Sequence, residues 1–256
     1  MALPQRSFED LVAEGEAAPV DGWDFSWFVG RATEERPPWG YARLVDEATT
    51  RARSALDLQT GGGEVLAGIR RAPHIWCATE SWPPNAALAR DRLSPRGGLV
   101  VMAPDGGPLP FADASFDLLT SRHPTVTVWP EIARVLRPGG QYLSQQIGAG
   151  SNRGLYEFLM GPQALGNARE PSTHAQTARR YGLVVERLET ASLRVEFFDL
   201  AAVIAFLRKV IWTVPDFSVD RYRERLRDLH EVIVRDGRFA CRSERFLISA
   251  RKPPAA

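Results

Sequence analysis

The chain has 256 residues, of which 44% are hydrophobic, enough to bury a substantial core as one enzyme-sized unit with insertions. Its 32 Lys and Arg against 31 Asp and Glu leave a formal net charge of +1, which excludes the global basic surplus that drives non-specific nucleic-acid binding. No apolar run approaches the roughly 18 residues that cross a bilayer, and the first residues lack a basic-then-apolar secretory pattern, so a soluble, cytoplasmic protein without a membrane partner is expected. Residues 1–50 are polar with aromatic islands, Trp23, Phe25, Trp27 and Phe28, then Trp39 and Tyr41 after Arg36-Pro37-Pro38. Rings of this size have a large apolar area to remove from water, so the segment is expected to pack on a core.

The first strand-like run, Ser54 to Leu58, meets Gln59-Thr60-Gly61-Gly62-Gly63 and then an apparent helix from Glu64. A strand that turns abruptly into a helix needs residues tolerant of positive φ, and glycine also lets the backbone approach a ligand, although a glycine triplet serves ordinary turns too. About twenty residues on, Ile75-Trp76-Cys77-Ala78-Thr79 ends in Glu80, where an acidic residue at a strand's carboxyl end can accept hydrogen bonds from a ribose diol. Cys77 and Cys241, the two cysteines, form no metal-ligand or CxxC pattern and are expected to be buried thiols, with no metal site.

Pro83-Pro84 opens a helix; Leu99 to Ala103 is a third strand ending near Asp105; Leu109-Pro110-Phe111 leads into the strand Ser115 to Thr120. Pro130 opens a further helix, Pro138-Gly139-Gly140 ends it, and Gln141 to Ile147 is a fifth strand. Such alternation of short apolar runs with helical stretches is what a parallel sheet covered on both faces requires. Between Gly148 and Pro171 lies a candidate mobile loop, followed by a helix over 173–181 and a strand from Leu183 running to Phe197. Two helices are expected within 200–237. The first carries an apolar stripe at Leu200, Val203, Ile204, Leu207 and Ile211, and the second one at Tyr222, Leu226, Leu229 and Ile233, with Arg221, Arg223, Arg225 and Arg227 as a solvated face. Arg245 to Arg251 is a last strand, and 253–256 a frayed end.

The order of these elements, with Leu109-Pro110-Phe111 through Phe116-Asp117 and Arg134-Val135-Leu136-Arg137-Pro138-Gly139-Gly140, resembles the class I S-adenosylmethionine-dependent methyltransferases, type 11-like, over roughly residues 50 to 150. The resemblance implies an α/β fold: a Rossmann-like, doubly wound, seven-stranded sheet with an antiparallel last strand. It implies an N-terminal helical cap over residues 1–50, a methyltransferase domain over 51–256, and the helical insertion 200–237 as a candidate lid. A Rossmann dehydrogenase is disfavoured by Pro138-Gly139-Gly140 and the terminal strand. The cofactor implied is S-adenosyl-L-methionine. Carried over residue by residue, Asp57, Gln59, Gly61 and Gly63 form its loop, Glu80 meets the ribose, Asp105 and Gly106 lie beside the adenine, and Thr120 and Ser121 lie near the reacting methyl. Arg31 and Arg36 are candidates for the carboxylate of its methionine part, or simply solvated. Trp27, Tyr41, Arg122, Phe206 and Trp212 are the substrate-contact candidates.

The family's glycine loop reads acidic-x-Gly-x-Gly-x-Gly. Here Gln59 holds the first glycine position, where its side chain either crowds the methionine end of the cofactor or hydrogen-bonds it. Of the four histidines, His123 follows the strand end in the expected active-site crevice. There it is placed to accept a proton from a hydroxyl or amine acceptor, to donate an orienting hydrogen bond, or to pack within the loop. The expected activity is methyl transfer to a small-molecule O or N nucleophile by in-line displacement. A methylase of RNA or of a translation-related substrate needs a basic patch that the sequence does not display, so a nucleic-acid partner is disfavoured. A methyltransferase-like protein with a non-methylating or scaffold role is the third reading, and a homodimer is left open.

Overall fold

The computed structural model describes residues 6–20 and 24–254; Trp23 lies outside them. In chain order the first elements are helix α1 (Phe8–Ala17), strand β1 (Ala32–Glu34), α2 (Tyr41–Arg51), β2 (Ser54–Asp57), α3 (Glu64–Ala67), β3 (Ile75–Glu80), α4 (Pro83–Leu93) and β4 (Leu99–Met102). There follow β5 (Phe116–Arg122), α5 (Trp129–Val135), β6 (Leu136–Ile147), α6 (Arg153–Met160) and α7 (Pro171–Arg180). Last come β7 (Val184–Phe197), α8 (Leu200–Lys209), α9 (Val219–Asp236) and β8 (Phe239–Arg251). Two compact units emerge: a smaller one from Met1–Arg36, Gly150–Leu165 and Ser192–Glu244, and a larger one from Pro37–Ala149, Gly166–Ala191 and Arg245–Ala256. The two long strands β7 and β8 contribute residues to both.

The larger unit holds the doubly wound sheet, in the order β7-β8-β6-β5-β2-β3-β4. Strands β6, β5, β2, β3 and β4 are parallel, and β8 runs antiparallel to β6 with Tyr142 opposite Ala250. This is the seven-strand arrangement with an antiparallel last strand. An eighth strand, β1, pairs antiparallel with the far half of β7 within the smaller unit, Ala32 opposite Phe197. Because β2, β3 and β4 run outward one way and β5 and β6 the other, the strand order reverses between β2 and β5, where Asp57 lies opposite Thr120. Open α/β sheets bind ligands at such a reversal, beyond the carboxyl ends of the strands.

Two elements differ from the sequence reading for identifiable reasons. The helix after the glycine loop is one turn, Glu64–Ala67: Gly68 follows it, and the Arg96 guanidinium donates to the carbonyls of Ala67 and Ile69 at 3.0 and 2.7 Å in place of further helical N–H groups. The strand expected from Gln141 starts at Leu136, since Pro138 bars helix at Arg137 and Gly139 takes a left-handed φ of 80° while its N–H reaches Lys252 O. Above and below the sheet, one buried cluster centres on Phe116, Trp129, Ile132, Tyr142 and Phe246, the other on Trp39, Tyr41, Val45, Trp76, Leu93 and Leu247.

The smaller unit is helical. Helix α8 is buried along nearly its whole length, from Leu200 through Leu207, and α9 buries Tyr222, Leu226, Leu229 and Ile233 as its stripe requires. Ile211, expected on the α8 stripe, is 64% exposed, because the helix stops at Lys209 and Val210 leaves helical geometry. Helix α1 starts in a capping box between Ser7 and Asp10 and packs on α8 at Gly15, where an added Cβ would sit 2.8 Å from Ile204 Cβ. Arg208 seals the far end of α1 by donating to Gly15 O and Ala18 O at 2.8 and 3.1 Å. Both cysteines are free and buried. Among the described residues no helix is long and apolar enough to cross a membrane.

Candidate active site

At the strand-order reversal the chain leaves β2 through Asp57 and Leu58, and Leu58 N–H still bonds to Thr120 O at 2.8 Å. Asp57 is buried, and its carboxylate accepts the Thr120 hydroxyl at 2.5 Å. Burial outweighs that bond and pushes its pKa up from 3.8 to about 6. The loop then turns through a run of left-handed residues: Gln59 at φ 54°, Gly61 at 63° and Gly63 at 78°. Gly63 suits this turn by its left-handed φ, and an added Cβ would also sit tightly, 3.3 Å from Ala89 Cα of α4. Gly61 turns its N–H onto Glu80 Oε2 at 2.8 Å.

Glu80 is 6% exposed, and its other oxygen, Oε1, accepts the N–H groups of Ser81 and Trp82, both at 3.0 Å. Burial raises the carboxyl pKa while these bonds to Trp82, Gly61 and Ser81 oppose the rise. Three of the roughly four acceptor positions of the carboxylate are thereby filled by the protein's own backbone. Asp105 Oδ2 accepts the Thr125 hydroxyl at 2.6 Å, and Gly106 is open on its surroundings.

Beside these groups lies a narrow pocket of about 380 Å³ including open space at its edge. Ala103, Leu109, Val126, Val128 and Ile132 supply apolar walls, Gln59 and Asp105 stand at its polar end, and Ser121 and Tyr142 reach its lining from the sheet. Ser121 is fully buried and shares hydrogen bonds of 2.8 Å with Tyr142 OH and with Ser144 Oγ. Thr120 and Ser121 therefore spend their hydroxyls within the sheet. Among the substrate candidates, Tyr41 is 6% exposed and donates its hydroxyl to Ser121 O at 2.8 Å, which makes it a buttress of β5. Arg122 stands exposed at the end of β5.

His123 takes a left-handed φ of 55° and its N–H reaches Gln145 O at 2.7 Å. Gln145 Oε1 accepts the Trp39 indole N–H at 2.7 Å, so the Gln145 amide nitrogen is the donor in its 2.9 Å bond to His123 Nε2. That assignment puts the ring proton on Nδ1 and consumes the basic nitrogen. Burial, with Arg245 and Arg122 nearby, also holds the His123 pKa well below 6.5. The ring is a neutral hydrogen-bond donor as set.

Trp27, Phe206 and Trp212 belong to the smaller unit. Trp27 packs edge-on against Phe28 at 5.4 Å with Arg31 over its face at 4.4 Å, Phe206 packs on Phe197 at 5.3 Å, and Trp212 is 42% exposed. Arg31 is engaged by Glu14 and Asp199, and Arg36 is exposed. Sequence reading missed Thr125 and Gln145. The signal for the last was present, since Gln145-Gln146 interrupts an apolar strand, and buried amides need partners.

Residues 56–144, from the end of β2 to the middle of β6, match the family profile described as a methyltransferase domain. This match supports the resemblance to the class I S-adenosylmethionine-dependent methyltransferases read in the sequence. Solved structures share the fold of this chain at low identity. A candidate methyltransferase from Bacillus halodurans is 19% identical with a TM-score of 0.57, over 83% of this chain and 98% of its own. The YcgJ protein of Bacillus subtilis is 16% identical with a TM-score of 0.59, over 84% and 99%. The [4+2]-cyclase SpnF is 19% identical with a TM-score of 0.52, over 84% and 81%. No curated protein is matched by the sequence.

Proposed function

We propose that this methyltransferase moves the methyl group of S-adenosylmethionine to a hydroxyl or amine of a small molecule. The observation that carries the reading is the pocket at the strand-order reversal, lined by Gln59 at the start of the glycine loop, by Thr79 beside Glu80 and by Asp105, with apolar walls. The residues fit such a cofactor. Glu80 keeps an acceptor position for a ribose hydroxyl, Gly61 and Gly63 hold the loop backbone close, and Asp105 offers a carboxylate at the pocket's polar end. When bound, the cofactor supplies a sulfonium-activated methyl group with a good leaving group.

The chain's part is then alignment and exclusion of water. Asp57 and Thr120 would pin the loop to β5, keeping the glycine turn at the end of the strand. Leu109, Val126, Val128 and Ile132 would exclude water from the base, and Arg122 would meet an acidic or polar acceptor at the strand end. His123, neutral and protonated on Nδ1, would orient an acceptor by donation, so that a proton on the nucleophile leaves to solvent or to the acceptor itself. The near-zero net charge supports a small acceptor over RNA.

A non-methylating role on this fold is favoured by one observation, Gln59 at the first position of the glycine loop, and the fold is shared by a [4+2]-cyclase. The deciding experiment is mass spectrometry of ligands retained by native protein, calorimetry with S-adenosylmethionine, S-adenosylhomocysteine and NAD, and labelled-methyl transfer into fractionated extract. Binding of both sulfur nucleosides without NAD, and label in a small-molecule fraction, is the expected result. Label in RNA would replace the acceptor class, binding without label would favour the non-methylating role, and NAD binding alone would end the reading.

A further inference from the structure

Gln59 departs from a glycine and pays a conformational cost for it: a left-handed φ of 54° is uncommon for a residue with a Cβ. Both ends of its amide bond to one segment that lines the same pocket. Its Oε1 accepts the N–H of Thr125 at 2.6 Å, and its Nε2 donates to Val126 O at 2.7 Å. The Thr125 hydroxyl, 2.9 Å from the same Oε1, gives its single proton to Asp105 Oδ2 at 2.6 Å. On the loop side the Gln59 N–H is itself held by Thr79 Oγ1 at 3.2 Å. Pro124, Val126, Thr127 and Val128 of that segment are a wall of the pocket, and the segment leaves β5 through a second left-handed residue, His123. The bridge thus joins the glycine loop to the opposing wall of the pocket and engages the amide oxygen and one of its two N–H donors.

We infer that Gln59 is a latch: by tying Thr125 and Val126 to the glycine loop it holds the pocket narrow, and cofactor admission requires these bonds to open. The inference rests on the cofactor reading above and deepens it, since it assigns Gln59 to control of entry and not to grip. It also gives the positive φ a function, because the left-handed turn is what aims the side chain at the opposing wall. A glycine here adopts the same backbone without strain, so Gln59→Gly should fold and lose only the bridge.

The test is made on the full chain in two measurements. In the absence of ligand, hydrogen exchange of the segment 123–128 should quicken about tenfold in Gln59→Gly, the range for losing a few solvent-accessible hydrogen bonds, with β2 and β3 unchanged. Thr125→Val removes the hydroxyl bond but keeps the N–H bond, and should fall between the two. In stopped flow, association of S-adenosylhomocysteine should accelerate in the same order, by about tenfold for Gln59→Gly. Unchanged exchange would overturn the latch, as would faster exchange with unaltered association. Faster exchange with weakened S-adenosylhomocysteine binding would also overturn it and make Gln59 a cofactor contact. If no variant and not the native chain binds S-adenosylhomocysteine while exchange responds as expected, the tie between loop and wall stands and the cofactor reading falls.

Discussion

Asp57 is a buried carboxyl that the fold holds at an energetic cost, and replacing it with asparagine should make the protein more stable in a pH-dependent way. Its pKa rises from 3.8 to about 6, chiefly because burial penalises the charged form. At 1.36 kcal/mol per pKa unit this comes to about 3 kcal/mol. A carboxyl whose folded pKa is raised keeps its full contribution below 3.8, loses it as pH climbs through about 6, and above that carries the whole penalty. Asparagine has the same shape and no charge, and its Oδ1 still accepts the Thr120 hydroxyl, though as a neutral acceptor. Part of the gain is therefore offset: the net advantage of Asp57→Asn at pH 8 is expected at roughly 1–3 kcal/mol, shrinking towards pH 4.5. Urea unfolding of both proteins at several pH values measures the difference directly. A difference that stays constant from about pH 4.5 to 8 would show that Asp57 does not titrate in this window, and would refute the argument from burial.

Glu80→Ala should lower S-adenosylhomocysteine affinity by ~1–3 kcal/mol by calorimetry, and should also lower the urea midpoint because the N–H groups of Gly61, Ser81 and Trp82 lose their acceptor. Unchanged affinity would remove the carboxylate from the ligand's surroundings. For His123, whose pKa is held well below 6.5, replacement by alanine should leave the shape of the pH–rate profile between about pH 5.5 and 8 as it was, whatever it does to the rate. An acidic limb present in the native enzyme and absent from the variant would make His123 a base after all.

The parts of the fold that were legible are those written locally. The glycine triplet and Pro138-Gly139-Gly140 mark turns through backbone geometry that few other residues allow, and the strand arrangement came from the family resemblance that these segments carry. What stayed hidden depends on partners far along the chain. The hydroxyl of Tyr41 finds a β5 carbonyl 80 positions away, and Gln59 finds Thr125 at a separation of 66. The tautomer of His123 is set by Gln145, whose own direction is set by an indole 106 positions from it that can only donate. The aromatic residues near the start were expected to pack on a core, as Trp39 and Tyr41 do, but Tyr41, a substrate candidate, turns its polar tip onto the sheet. Composition cannot separate these roles, because an amphipathic ring suits both.

The contact of α1 with α8 bears on how the chain is made. Gly15 and Arg208 are 193 positions apart, as are Arg6 and Asp199, and Glu9 meets Arg223 across 214. At ~5–20 residues per second, a ribosome would need roughly 10–40 s to cover such a distance. For that interval the apolar side of α1, Leu11 and Val12 included, has no helix to cover it, while most of the parallel strands already exist. Helix α1 is thus buried long after it is synthesised, its apolar side staying uncovered until α8 and α9 follow.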